Sequence, residues 1–160
     1  MYRIDWVDPA GKVRLGTPVQ YERVRVGTAE KREWAAQQAL SGGIGISVEN
    51  NNSQVSMSFA RNRPGADGIN TDEYKFPEYK PAFDNGTLLV DRSGQLWVQR
   101  HLRAGRAPQY DVFASDGSLK ATVTFPVNRR LIAFGAQGLY VTATDDDGLQ
   151  TLERYAVPVQ

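Results

Sequence analysis

Residues 87–126, TLLVDRSGQLWVQRHLRAGRAPQYDVFASDGSLKATVTFP, alternate apolar runs with clusters of turn-forming residues. The runs are Leu88–Val90, Leu96–Leu102, Tyr110–Ala114 and Leu119–Phe125; between them stand Asp91–Gly94, Ala104–Pro108 and Ser115–Ser118. Glycine supplies positive φ, while aspartate and serine bond their own backbone, so each cluster reverses the chain. Four strands with three reversals predict one antiparallel meander. A lone sheet of this size cannot bury both faces, so the unit must be repeated or covered.

Repetition is visible. Leu139-Tyr140-Val141 reproduces Leu96-Trp97-Val98 after 43 residues, and Tyr155 follows Phe113 by 42. Four-stranded repeats of roughly 40–45 residues have the period of propeller blades. Upstream, Ile4-Asp5-Trp6-Val7, the turn Asp8–Gly11 and Lys12-Val13 parallel Tyr110–Phe113, Ser115–Ser118 and Leu119. The N-terminus therefore reads as the last two strands of another blade.

The string from Leu89 to Val98, then Tyr110-Asp111-Val112-Phe113 and Asp116-Gly117-Ser118-Leu119, resembles the repeat of NHL-type propellers. It is more similar still to a group of bacterial six-bladed β-propeller proteins that carry tryptophan at the position of Trp97. The resemblance covers Thr87 to Pro158 well and Tyr2 to Val26 more loosely. It implies a fold, because the matching residues form turns and packing contacts. It carries over no catalytic residue.

Nineteen basic and eighteen acidic side chains leave a net charge of +1, which gives no global electrostatic case for nucleic acid or an anionic membrane. The absence of cysteine excludes disulfides, thiolate metal sites and cysteine nucleophiles. A length of 160 residues predicts one domain. Arg3, Asp5 and Asp8 interrupt the apolar run that a secretory signal would need, so no signal peptide is read. An opening inside a blade is compatible with a longer, exported parent. No window approaches the roughly 20 apolar residues of a membrane span.

The expected fold class is all-β, with propeller-like four-stranded meander blades and one short inserted helix. Residues 2–20 form a partial blade hairpin, its turn built on Pro9 and Gly11. Residues 28–40 form the helix, with Thr28 as its cap, Glu30 and Glu33 toward its positive end, and an apolar face of Trp34, Ala35, Ala39 and Leu40. Residues 42–84 are an irregular insertion or a hairpin pairing Ile44–Val48 with Val55–Phe59, the latter reading being favoured by alternation and by the turn 50–53. The breakers 63–68 follow. Residues 87–126 are the complete blade and 129–157 a three-stranded partial blade, for which the N-terminal segment is the natural donor of a fourth strand.

Candidate sites are few. The only histidine, His101, rules out histidine-rich metal sites within one chain and reads as a strand residue rather than a base. Arg100, Arg103 and Arg106 surround it and make the densest basic cluster, a candidate contact for an anion or partner that also serves as a solvated edge. Tyr74, Phe76, Tyr79 and Phe83, interleaved with lysines and prolines, are a candidate strip for a partner or ligand, or else packing beneath the insertion. Asp145–Asp147 lacks the spaced ligands and closing glutamate of a calcium loop, and Asp91 and Asp116 read as turn residues. Gly42-Gly43-Ile44-Gly45 follows a helix and has no Gly-Lys-Ser/Thr ending, so no nucleotide loop is read.

No cofactor and no metal site are expected. The leading expectation is a non-enzymatic binding or interaction module. A calcium-dependent hydrolase of lactonase type, which the propeller resemblance implies, and a self-associating propeller fragment with a structural role stand as alternatives.

Overall fold

The computed structural model describes residues 1–41, 45–51, 54–60 and 69–156. The elements in chain order are β1 (Trp6–Val7), β2 (Val13–Arg14), α1 (Thr28–Ser41), β3 (Gly45–Asn51), β4 (Gln54–Ala60), β5 (Phe83–Val90), β6 (Leu96–Arg100), β7 (Gln109–Phe113), β8 (Leu119–Thr124), β9 (Arg129–Gly135), β10 (Gly138–Thr144) and β11 (Gln150–Tyr155). Among the described residues the architecture is thus mostly antiparallel β with one α-helix. Two compact units divide the chain: Met1–Arg25 together with Glu78–Gln160, and Val26–Pro77. Residues 42–44 of the glycine-rich stretch, residues 52–53 of the expected turn 50–53 and the breakers 63–68 lie outside the described residues.

In the first unit β5-β6-β7-β8 form a four-stranded sheet in sequential order, and β9, β10 and β11 form a three-stranded one with β10 in the middle. One turn recurs four times. Asp8, Asp91, Ala114 and Asp145 each accept, on the carbonyl, the N–H of a glycine three residues on, and donate their own N–H one residue further along. The glycines 11, 94, 117 and 148 all have φ between 77 and 81°. That left-handed conformation is open to glycine at little cost, which is why a glycine at the fourth position decides these reversals, with aspartate leading three of them and Ala114 the other. The aspartates add side-chain acceptors for the N–H groups inside the turn, as Asp91 does for Ser93 and Gln95 at 2.9 Å.

Both faces of the four-stranded sheet are used. On one face Leu89, Trp97, Val112 and Ala121 stand in register, and Leu131, Leu139 and Val141 of the three-stranded sheet pack against them with Tyr110 and Phe125. Each large side chain buried there contributes about 1.5–3 kcal/mol. The Tyr110 hydroxyl joins the two sheets, accepting the Leu131 N–H at 3.1 Å and donating to Gln99 Oε1 at 3.2 Å. Burial holds this phenol above its ordinary pKa of 10.0.

The other face carries Val98, Asp111 and Phe113, and the N-terminal segment lies over it. Tyr2 pairs with Val19 in an isolated bridge, and Tyr2, Ile4 and Val19 cover Val98 and Phe113. Gly16 and Gly117 allow the approach: a Cβ on Gly117 would stand 2.9 Å from Gly16 Cα, and one on Gly16 would stand 2.0 Å from the Ile4 carbonyl oxygen. The N-terminal segment is therefore a covering layer. It does not supply a fourth strand to β9–β11 as expected, because its backbone pairs with itself and its inward side chains are taken by the Val98 face.

The first unit is closed at Arg25 and Tyr79, which form an isolated antiparallel bridge, with the Lys80 N–H donating to the Val24 carbonyl at 2.8 Å. The second unit begins beyond it. Thr28 is the first residue of α1 rather than its cap; Gly27 holds the capping position, its carbonyl accepting the Lys31 N–H at 3.1 Å while Glu30 Oε2 reaches back to the Gly27 N–H at 3.1 Å. A glutamate at this spacing satisfies the cap's own donor, which a threonine one residue later cannot do. Ala35 and Ala39 are buried, and the Trp34 ring meets Tyr74 and Phe76 at centroid distances of 4.7 and 5.2 Å. β3 and β4 pair as a hairpin from Gly45↔Ala60 to Asn51↔Gln54. Among the described residues no helix is long and apolar enough to cross a membrane.

Candidate functional site

The chain leaving β6 turns sharply at Gly105 (φ 75°) before β7, and this reversal brings Arg100, His101, Arg103 and Arg106 to one end of the sheet. Opposite them runs the stretch 21–24. Together they line an open cleft of about 490 Å³, shared by Tyr21, Glu22, Val24, Ala82, Leu102 and Gln109 besides the four basic residues. This volume falls within the range of small-molecule sites.

Each basic side chain is held differently. Arg100 is anchored inward, its Nε donating to Asp111 Oδ2 at 2.7 Å. Asp111 is fully buried and accepts from two more donors, Thr122 Oγ1 at 2.7 Å and the Tyr2 hydroxyl. Three donors converging on one carboxylate satisfy an acceptor-only group, so the charge is compensated where it is buried. Burial first, and then the bond to Asp111 and its charge, push the Tyr2 hydroxyl well above the ordinary tyrosine value, Arg100 opposing them. Burial alone would lower the Arg100 guanidinium; its bond to Asp111 and the negative charge there outweigh this and raise it.

His101 donates Nδ1–H to the Pro81 carbonyl at 3.1 Å, since a carbonyl can only accept, and this leaves Nε2 as the free ring nitrogen. Arg103 pairs with Glu22, both largely exposed. Such a pair contributes about 1 kcal/mol or less and can be exchanged for another carboxylate. Arg106 makes no ion pair with a described residue.

The lining contains no serine, threonine or cysteine, and its one carboxylate is engaged by Arg103. With Arg100 neutralised by Asp111 and Arg103 paired with Glu22, the Arg106 guanidinium is the cation left among the described residues of the lining to attract an anion, while Tyr21, Val24, Ala82 and Leu102 offer it apolar walls. Among the described residues no three histidine, aspartate or glutamate side chains gather as a metal site would require. Asp145 is occupied by its turn, accepting the Leu149 N–H at 2.8 Å.

The structure thus brings together the four basic residues singled out in the sequence. Of the aromatic residues, Tyr74 and Phe76 pack on Trp34 within the second unit, while within the first the Tyr79 ring lies 3.9 Å from the Arg23 guanidinium carbon and Phe83 packs on Tyr2 at 5.7 Å. The facing wall, Tyr21, Glu22 and Val24, was not anticipated. The alternation of Val19, Tyr21, Val24 and Val26 with polar residues is the signal that marks this stretch as half-buried.

Comparison with family models, curated proteins and solved structures found no match to this chain.

Proposed function

We propose that this chain is a non-catalytic binding module built from propeller-like layers, and that it takes an anionic ligand with an apolar body at the cavity between residues 21–24 and 100–109. The convergence of Arg100, His101, Arg103 and Arg106 on that cavity carries the reading. Support for the blade assignment comes from the sequential four-stranded sheet, the recurring Asp-x-x-Gly turn and the face-to-face stacking of successive layers. Support for a binding role over a catalytic one comes from the chemistry of the lining, which pairs no nucleophile with a base.

A carboxylate or phosphate would meet Arg106 directly and would displace Glu22 from Arg103. Charge-assisted bonds of this kind contribute about 1.5–3 kcal/mol each. Titration of the 15N-labelled protein with benzoate, inorganic phosphate and a short acidic peptide tests this. At least one probe should move the amides of residues 21–24 and 100–109, and Arg106→Ala should weaken it about tenfold or more. No response to any of the three, together with turnover in a hydrolase panel lost in Arg106→Ala, would replace binding by catalysis.

A further inference from the structure

The layers of the first unit stack with a fixed polarity. Trp97 marks one face of the four-stranded sheet and Val98 the other, because neighbours in a strand point to opposite sides. The Trp97 face lies against the sheet β9–β11, to which Val141 and Leu139 contribute. By the repeat, Val141 stands where Val98 stands and Tyr140 where Trp97 stands, both pairs on the second strand of their sheets. A face of the Trp97 kind therefore rests on one of the Val98 kind.

The other internal boundary obeys the same order. Ile4 and Trp6 correspond in the repeat to Tyr110 and Val112, which belong to the Trp97 face, and Val7 opposite Val13 corresponds to Phe113 opposite Leu119, which belong to the Val98 face. Ile4 packs on Val98 and Phe113. Again a Trp97-kind face rests on a Val98-kind face.

Among the described residues of the first unit, the two end faces of the stack are thus of opposite kinds. At one end the N-terminal layer turns outward Val7 and Val13, each more than half exposed. At the other end β9–β11 turn outward Ile132, 42% exposed, and Leu152, 61% exposed, with Tyr140 between their strands. We propose that these ends dock on one another between copies of this chain, head to tail, with the Tyr140 face of one copy seated on the Val7–Val13 face of the next. The second copy is the occupant because it presents the face kind that each end lacks, in the order used twice inside the molecule. A heterologous contact of this sort propagates until it closes into a ring or grows as a filament. The inference is independent of what fills the basic cavity.

Light scattering on the unmodified protein gives the first test. With the concentration raised to about 100 µM, two decades above a micromolar Kd, the mass should rise to a multiple of the single chain. Val13→Arg and Leu152→Arg, both at exposed positions, should each be held to one copy or a small residual fraction. Mixed in equal amounts, they should form a one-to-one dimer, since each retains the end that the other has lost. A single-copy mass for the unmodified chain throughout that range would overturn the proposal. So would an assembly disrupted by one substitution and unchanged by the other, or a mixture that stays at one copy.

Discussion

Asp91 shows how much one turn residue can hold. Its Oδ1 accepts the N–H groups of Ser93 and Gln95 and the Ser93 hydroxyl, and its Oδ2 accepts the Trp97 indole N–H at 3.0 Å. Burial by itself would raise the carboxyl, but the bonds from Ser93, Trp97 and the backbone prevail and set it below the ordinary 3.8. A depressed folded value means that the stabilisation is fully present above the unfolded value, near 3.8, and is lost as pH falls through the lowered one. Asp91→Asn should therefore lower Tm by a few degrees at neutral pH, on the order of 1 kcal/mol, and the gap should narrow below about pH 3.5. Calorimetry of both proteins across the acid range checks this; a gap that widened toward acid would refute the assignment. Asp91 was legible in the sequence because all its partners lie within six residues. Asp111 was not, because Tyr2 reaches it from 109 residues away and alternation alone assigns an aspartate between Tyr110 and Val112 to a solvent face. Here both faces are covered.

The hairpins repeat one turn, yet the glycine in it meets different surroundings from copy to copy. Gly94 and Gly117 share φ near 80°, but a Cβ on Gly94 would meet nothing within 4 Å, while on Gly117 it would press on Gly16. Gly94→Ala should thus cost about 1 kcal/mol for the left-handed backbone alone. Gly117→Ala should cost about 2–3 kcal/mol, because the N-terminal layer must also move. Urea unfolding of the two variants measures the difference, and equal costs would mean that this layer is loosely held. Strand positions and reversals were readable, since turn chemistry and alternation are local properties. The layer order was not, because it depends on contacts across about a hundred residues. The same division holds at the cavity: Arg100 to Arg106 stand together in the chain, while Tyr21, Glu22 and Val24 arrive from far away.

At the scale of the whole molecule, the bridge between Arg25 and Tyr79 decides how the two units can be separated. Antiparallel partners in a bridge lie about 4.5–5.5 Å apart at Cα, a span that a short turn closes. Replacing residues 26–77 by a four-residue glycine-containing turn should leave the near-UV circular dichroism of the first unit in place and move Tm by about 5 °C or less. Loss of the cooperative transition would show that the sheets depend on that segment. A stack whose strands already meet at the neck behaves as a closed circuit with a socket in it. The length and content of what is plugged there can change, by insertion or exchange, without rewiring a single sheet.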